Sequence, residues 1–225
     1  MTKFRLWAIL ALLITISSNA FGALIERAGG AALYDTIRDV TILADANLAA
    51  DNPYGSTVSF GGGLMRGSEA PGFIDDMNAA SHLGVNTWRI PVTPVPDETC
   101  TSDEAGNELP VGDSIGFNCT GSDLGDFFYV ALSGTAGQSI LTSGDPSALA
   151  LFENLLAAPY WSVQAAGGNY WFVNFNNGGQ SQGIDGNGGY LLPVANGDVL
   201  VPVPAAAWLF GSALALLGWL RCRPA

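Results

Sequence analysis

Residues 160–175 read YWSVQAAGGNYWFVNF. Two runs of aromatic and β-branched residues flank Ala165-Ala166-Gly167-Gly168-Asn169, a stretch suited to a hairpin loop. That pattern asks for short strands with frequent turns, and it recurs along the chain. Tyr34 to Leu43 reads as a short strand or two, followed by a turn or brief helix around Asp45 to Ala50. Asn52 to Gly63 reads as a loop. Gly178 to Gly189, rich in glycine and asparagine, reads as a turn, with Tyr190 to Val194 as the closing strand. Helical signal is sparse. Gly72 to Leu83 places Phe73, Ile74, Met77 and Ala80 on one helical face, with Gly84 as the natural cap. Trp88-Arg89-Ile90-Pro91 reads as a short buried strand stopped by proline. Leu124 to Leu132 reads as a short helix supplying Phe127, Phe128 and Leu132 to the core. No repeat of fixed period is visible. The expected class is α+β: a single loop-rich domain with few helices and short aromatic strands.

The two ends of the 225-residue chain follow other rules. Lys3 and Arg5 precede an apolar run from Leu6 to Ile16, and Ser18-Asn19-Ala20 offers a small-x-small cleavage site. A run that short does not span a bilayer, so residues 1–20 read as a secretory signal cut after Ala20. At the other end, Ala205 to Leu220 carries no charge and leads into Arg221-Cys222-Arg223. As a helix it would reach roughly 24 Å at about 1.5 Å per residue. That is slightly short of a hydrocarbon core of about 30 Å, and Val201 to Pro204 closes the gap. The two arginines favour a cytoplasmic C-terminus and leave the body outside. The organisation expected is a signal at 1–20, a lead-in at 21–30, the domain at 31–199 and a membrane-directed segment at 200–225. Within that segment the transmembrane helix covers about 205–220 and the basic tail 221–225.

Between the ends, four arginines (Arg27, Arg38, Arg66, Arg89) face twenty carboxylates with no lysine, a net charge of −16. Such a surface repels phosphate backbones and anionic lipid, so nucleic acid is excluded as a partner. Membrane contact is left to the C-terminal helix alone. Cys100 and Cys119 lie in the exported body, where a disulfide between them is expected. Cys222 lies in the tail. With His82 the only histidine and no CxxC pair, a zinc site is not expected.

Residues with chemical potential are few. His82 sits at the end of the predicted helix without a nucleophile motif. Asp35, Asp39 and Asp45 offer either paired carboxylates, as a carbohydrate-active enzyme would need, or turn caps. An ion pair of Asp39 with Arg38 or Arg89 is the preferred reading. Asp185-Gly186-Asn187-Gly188-Gly189 looks like a calcium turn but lacks the ligand spacing, so a tight glycine turn is expected. Asp97, Glu98, Asp103, Glu104, Glu108 and Asp113 crowd the stretch around the cysteines, where weak calcium binding competes with a plain solvated loop. Trp88 reads as core. Trp161, Tyr170 and Trp171 are the aromatics that would contact a sugar if exposed. No phosphate loop or nucleophile elbow occurs, and no catalytic, cofactor or metal-binding residue is assigned.

Two stretches resemble known families. Tyr34-Asp35, then Asp39-Val40-Thr41-Ile42-Leu43 and Asp45-Ala46-Asn47, resemble the opening motif of the Lcl C-terminal domain family, first recognised at the end of a collagen-like adhesin. Ile42 stands at that family's tryptophan. Trp88-Arg89-Ile90-Pro91, Tyr160-Trp161-Ser162, the stretch from Trp171 to Gly178, and Pro193 to Val199 resemble its later motifs in the same order. The resemblance implies an extracellular module, C-type-lectin-like in kind, with roles in adhesion and in binding anionic glycans. A body of charge −16 does not suit an anionic ligand. Val201-Pro202-Val203-Pro204-Ala205, with the apolar span and basic tail, is similar to the V-P-L-P-A variant of the PEP-CTERM sorting signals. That similarity implies processing by an exosortase and release to the cell surface or extracellular matrix. The expected function is a non-catalytic adhesion module for a polysaccharide or matrix protein. A structural subunit of a surface layer or filament and a carbohydrate-active enzyme are the alternatives.

Overall fold

The structure is a computed structural model that describes residues 24–101 and 114–200. The described residues form two antiparallel sheets. Strands β1 (Leu24–Arg27), β2 (Ala32–Asp35), β3 (Val40–Leu43) and β7 (Val194–Asn196) lie in the order β1-β2-β3-β7. Strands β4 (Pro159–Gln164), β5 (Asn169–Asn174) and β6 (Gly179–Ile184) form the second sheet in chain order. The main helix is α1 (Ala70–Ala79). A single turn α2 (Asp123–Asp126) runs into a π turn at Phe127–Ala131, and α3 (Ile140–Ser143) and α4 (Pro146–Leu149) are one turn each. The mixed, helix-poor class expected from the sequence is found. Among the described residues, no helix is long and apolar enough to cross a membrane.

Local chemistry accounts for the turns. Asp35 Oδ1 accepts the amides of Ile37 at 2.8 Å and Arg38 at 3.1 Å, which folds the β2–β3 hairpin around a side-chain cap. Glu69 accepts the amide of Arg66 at 2.9 Å just before α1, and Pro71 sits in its first turn. Ser122 caps α2, and Asp145 caps α4 ahead of Pro146.

Strand alternation divides the core in two. Val40 and Ile42 of β3 enter one cluster with Phe127, Phe128, Val173 and Phe175, whereas Leu43 enters a second with Phe73, Met77, Trp88 and Tyr170. The same split separates Tyr160 from Trp161, Leu191 from Leu192, and Val194 from Ala195. Successive side chains point to opposite faces, so a sheet covered on both sides needs apolar residues in near-continuous runs. β3 is buried at every position.

Several expectations need correction. The helix read over Gly72 to Leu83 begins at Ala70 and stops at Ala79, and Gly84 does not cap it. Asn78 is responsible: its side chain accepts Trp88 N and donates to Trp88 O, both at 2.9 Å, and draws the following chain back. Ser81 and Leu83 then take left-handed conformations, with φ of 51° and 55°. Trp88 to Pro91 is extended but not a strand, since only Arg89 bridges Val194. The supposed turn from Gly178 to Gly189 begins with β6. Its poor strand propensity is outweighed by six paired positions along β5 and by Gly116, which holds Gln180 from the other side. The closing strand starts at Val194 rather than Tyr190, because Tyr190 pairs in parallel with Tyr160. Leu24–Arg27, placed by the sequence in a lead-in, pairs with β2 along its whole length. The signal at 1–20, the sorting segment from Val201 onward, and Asp103, Glu104, Glu108 and Asp113 lie outside the described residues.

Candidate functional site

The sequence places a disulfide at Cys100 and Cys119, and the structure contains it. Beside it, Asp97 is buried, accepting Thr99 N and Oγ1 with one oxygen and Gln180 Nε2 with the other at 3.1 Å. Asp97 lies close to both sulfurs, but sulfurs joined to each other are not thiolates, so the trio is no metal centre. Gln180 also donates to Ser114 O at 2.9 Å. These bonds tie β6 to the chain on either side of residues 102–113.

Three aspartates were candidates for catalysis. Asp35 caps its hairpin, Asp39 accepts Tyr34 Oη at 2.8 Å, and Asp45 Oδ1 accepts Asn47 N and Asn154 Nδ2, both at 3.0 Å. Each holds a turn or a neighbouring loop. The expected pairing of Asp39 with Arg38 or Arg89 is not formed. Both arginines turn instead to Asp123, at 3.1 Å and 2.6 Å, and Val92 N gives the same carboxylate a third donor at 2.8 Å. Asp123 sits at the start of α2, fixed by the Ser122 cap, and both guanidiniums can reach it there. Next to this hub, Asp126 is buried with Oδ2 unpartnered. Burial pushes its pKa up to about 6; Arg38 opposes the shift, while Asp35 and Asp123 add to it.

The aromatic candidates are core. Trp161 is 1 %, Trp171 3 % and Tyr170 8 % exposed, so none offers a ring face to a sugar. Trp161 donates Nε1 to Met65 O at 2.8 Å and packs edge-on to Tyr170 and Phe172. Tyr170 lies against Gly67, where any side chain would overlap its ring. Trp88 is also buried, as expected. Asp185 accepts Ser68 N at 2.8 Å and Ser68 Oγ at 3.0 Å, a loop-to-loop tie.

What the sequence does not single out as a unit is a cleft of about 350 Å³. It is lined by the exit of β3 at residues 43–45 with Leu48, by the β1–β2 turn at residues 29–31, by His82 with Leu83, and by Glu153. Glu153 is placed by its backbone: its N donates to Ala44 O at 2.8 Å and its O accepts Ala46 N at 2.9 Å. Gly29 and Gly30 have φ of 71° and 95°, which suits glycine and leaves those two positions without side chains. His82 shares its Nδ1 with Tyr54 Oη in a hydrogen bond, and its carbonyl accepts Trp88 Nε1 at 3.1 Å. Among the described residues, Nε2 makes no hydrogen bond. Burial lowers the pKa of His82, only partly offset by Asp45, so the imidazole is neutral near pH 7. A neutral imidazole, two carboxylates and leucine residues thus share the lining of one small concavity, with no arginine among the described residues that line it. Comparison of the chain with protein-family models, with curated proteins and with solved structures finds no match.

Proposed function

We propose that this chain is an exported, non-enzymatic component of the cell surface or extracellular matrix, whose body is an adhesion module for a polysaccharide or matrix protein. In this reading an exosortase removes the tail from Val201 onward, and the transmembrane helix is a transient anchor in the inner membrane. The body is a C-type-lectin-like member, in kind, of the Lcl C-terminal group.

The observation that carries the reading is how the four arginines of the body are used. Arg27 is clasped by Asp198 at 2.6 Å, Arg38 and Arg89 share Asp123, and Arg66 lies over the Phe60 ring. With its few cations committed internally, the exterior offers carboxylates, which favours neutral or cationic partners over sulfated or phosphorylated ones. The turn-holding roles of Asp35, Asp39 and Asp45 weigh for binding over catalysis. The disulfide fits an oxidising, exported setting. A structural subunit is the second reading, since β1 lies at the edge of its sheet.

The test is a glycan array with the mature protein, run with and without calcium. Neutral or amine-bearing glycans should be retained and sulfated ones should not; retention of sulfated glycans alone would reverse the assignment. Mass spectrometry of the surface-exposed protein should find residues 205–225 absent. Their presence would identify a permanent anchor instead of a sorting signal.

A further inference from the structure

The cleft beside His82 has a lining that selects for ligand chemistry. Asp45 is half-buried and Glu153 exposed, with no lysine or arginine among the described residues of the lining. One oxygen of Asp45 is occupied by Asn47 N and Asn154 Nδ2, which orients the carboxylate and leaves the other oxygen available. A carboxylate held this way, partly shielded from water, binds an ammonium better than a freely hydrated one does. His82 Nε2 adds a neutral polar contact suited to a hydroxyl. Leu83, half-buried, supplies accessible apolar surface for the C–H face of a ring, whereas Leu43 and Leu48 are buried. The volume lies at the small end of ligand clefts, large enough for one sugar ring. A slender alkyl-ammonium chain would leave much of it to water.

We propose that this cleft binds an amino sugar, a hexosamine unit with a free amine, presented by a matrix polysaccharide. The amine lies between Asp45 and Glu153, a hydroxyl meets His82 Nε2, and the ring rests on Leu83. The absence of side chains at Gly29 and Gly30 leaves room for the neighbouring sugars of the polymer. The proposal rests on the adhesion reading and gives it a ligand class.

Calorimetry with the full chain tests it, using a glucosamine oligomer and its fully N-acetylated counterpart of equal length. The free-amine oligomer should bind about tenfold more tightly, and Glu153→Gln and Asp45→Asn should each remove most of that preference. Both substitutions keep an acceptor oxygen, so backbone ties and fold should persist, as circular dichroism would check. Loss of the preference on raising salt would agree with a charge-based contact. Equal affinity for the two oligomers would overturn the proposal, as would an unchanged preference in Glu153→Gln and Asp45→Asn together. Tighter binding of a lysine-bearing peptide than of the glucosamine oligomer would overturn the sugar assignment. A parallel pull-down on isolated matrix polymer separates the two claims. Retention on the polymer without oligomer binding sinks this proposal and keeps the adhesion reading; oligomer binding without retention does the reverse.

Discussion

At the scale of single residues, burial and hydrogen bonding decide what each acid does. Among the described acids, Asp126 is the one whose charge works against the fold. Its pKa is raised to about 6, so the folded state holds the proton more tightly than an unfolded carboxyl with an ordinary value near 4. The stabilisation is complete below the unfolded pKa and is lost as pH rises through the folded one. Asp126→Asn should therefore be more stable than the parent by about 2 kcal/mol at pH 8, with the difference vanishing toward pH 4. Urea midpoints across that range give the answer, and a difference constant with pH would refute it. Asp123 is instead fully engaged by donors. It is 6 % exposed at the side chain and receives two guanidiniums and an amide, so Asp123→Ala should cost about 3 kcal/mol by stranding both arginines. Gly67→Ala should cost about 1–3 kcal/mol in thermal or urea unfolding, since its Cβ has nowhere to go but the Tyr170 ring. A neutral result there would mean Tyr170 is free to move, and would reopen its candidacy as a ligand contact.

At the scale of elements, the sequence is readable where one short segment decides its own fate. The β4–β5 hairpin follows from β-formers around turn residues and is found near its expected bounds, and Tyr34 to Leu43, read as a strand or two, holds the end of β2 and all of β3 with a turn between them. β6 was not legible, because GQSQGI has no strand signal of its own and takes its form from neighbours at β5 and Gly116. The early end of α1 was hidden for a related reason: Asn78 acts on Trp88, ten residues away. The site shows the same limit. Most residues of the family-like motifs prove to be packing or turn residues. The cleft combines residues from the β1–β2 turn, the end of β3, the segment after α1, and Glu153, and no local motif spans such separations. His82 was noticed for being the only histidine, but its partners in the cleft were not. A telling element-level measurement is Gly189→Ala: a Cβ there would sit 2.7 Å from the Trp161 indole. The variant should lower stability by about 1–3 kcal/mol and shift tryptophan emission. An unaltered spectrum would contradict the tight packing of β4 on this turn.

For the whole molecule, the disulfide closes a loop across a sequence separation of 19, containing residues 102–113, within a chain rich in connections. Reducing it, or replacing both cysteines by serine, should lower stability by about 3 kcal/mol without changing the sheets, measured by urea unfolding of reduced and oxidised protein. An equal midpoint for both forms would show that Asp97 and Gln180 hold the region alone. The first sheet has another property at this scale: it brings the beginning and the end of the domain together. β7 pairs with β3, two strands from β1, and the Arg27–Asp198 clasp joins the two termini directly. Thr41 adds two bonds, donating to Gly197 O at 2.7 Å and accepting Val199 N at 3.3 Å. These contacts lie within four residues of Leu200, where the described fold ends. Force applied at Leu200 would be met together by this staple and by the packing of Val199 and Leu200 on the second cluster. The two ends of the described fold thus act as one mechanical unit, so that strain entering at either is shared with the other.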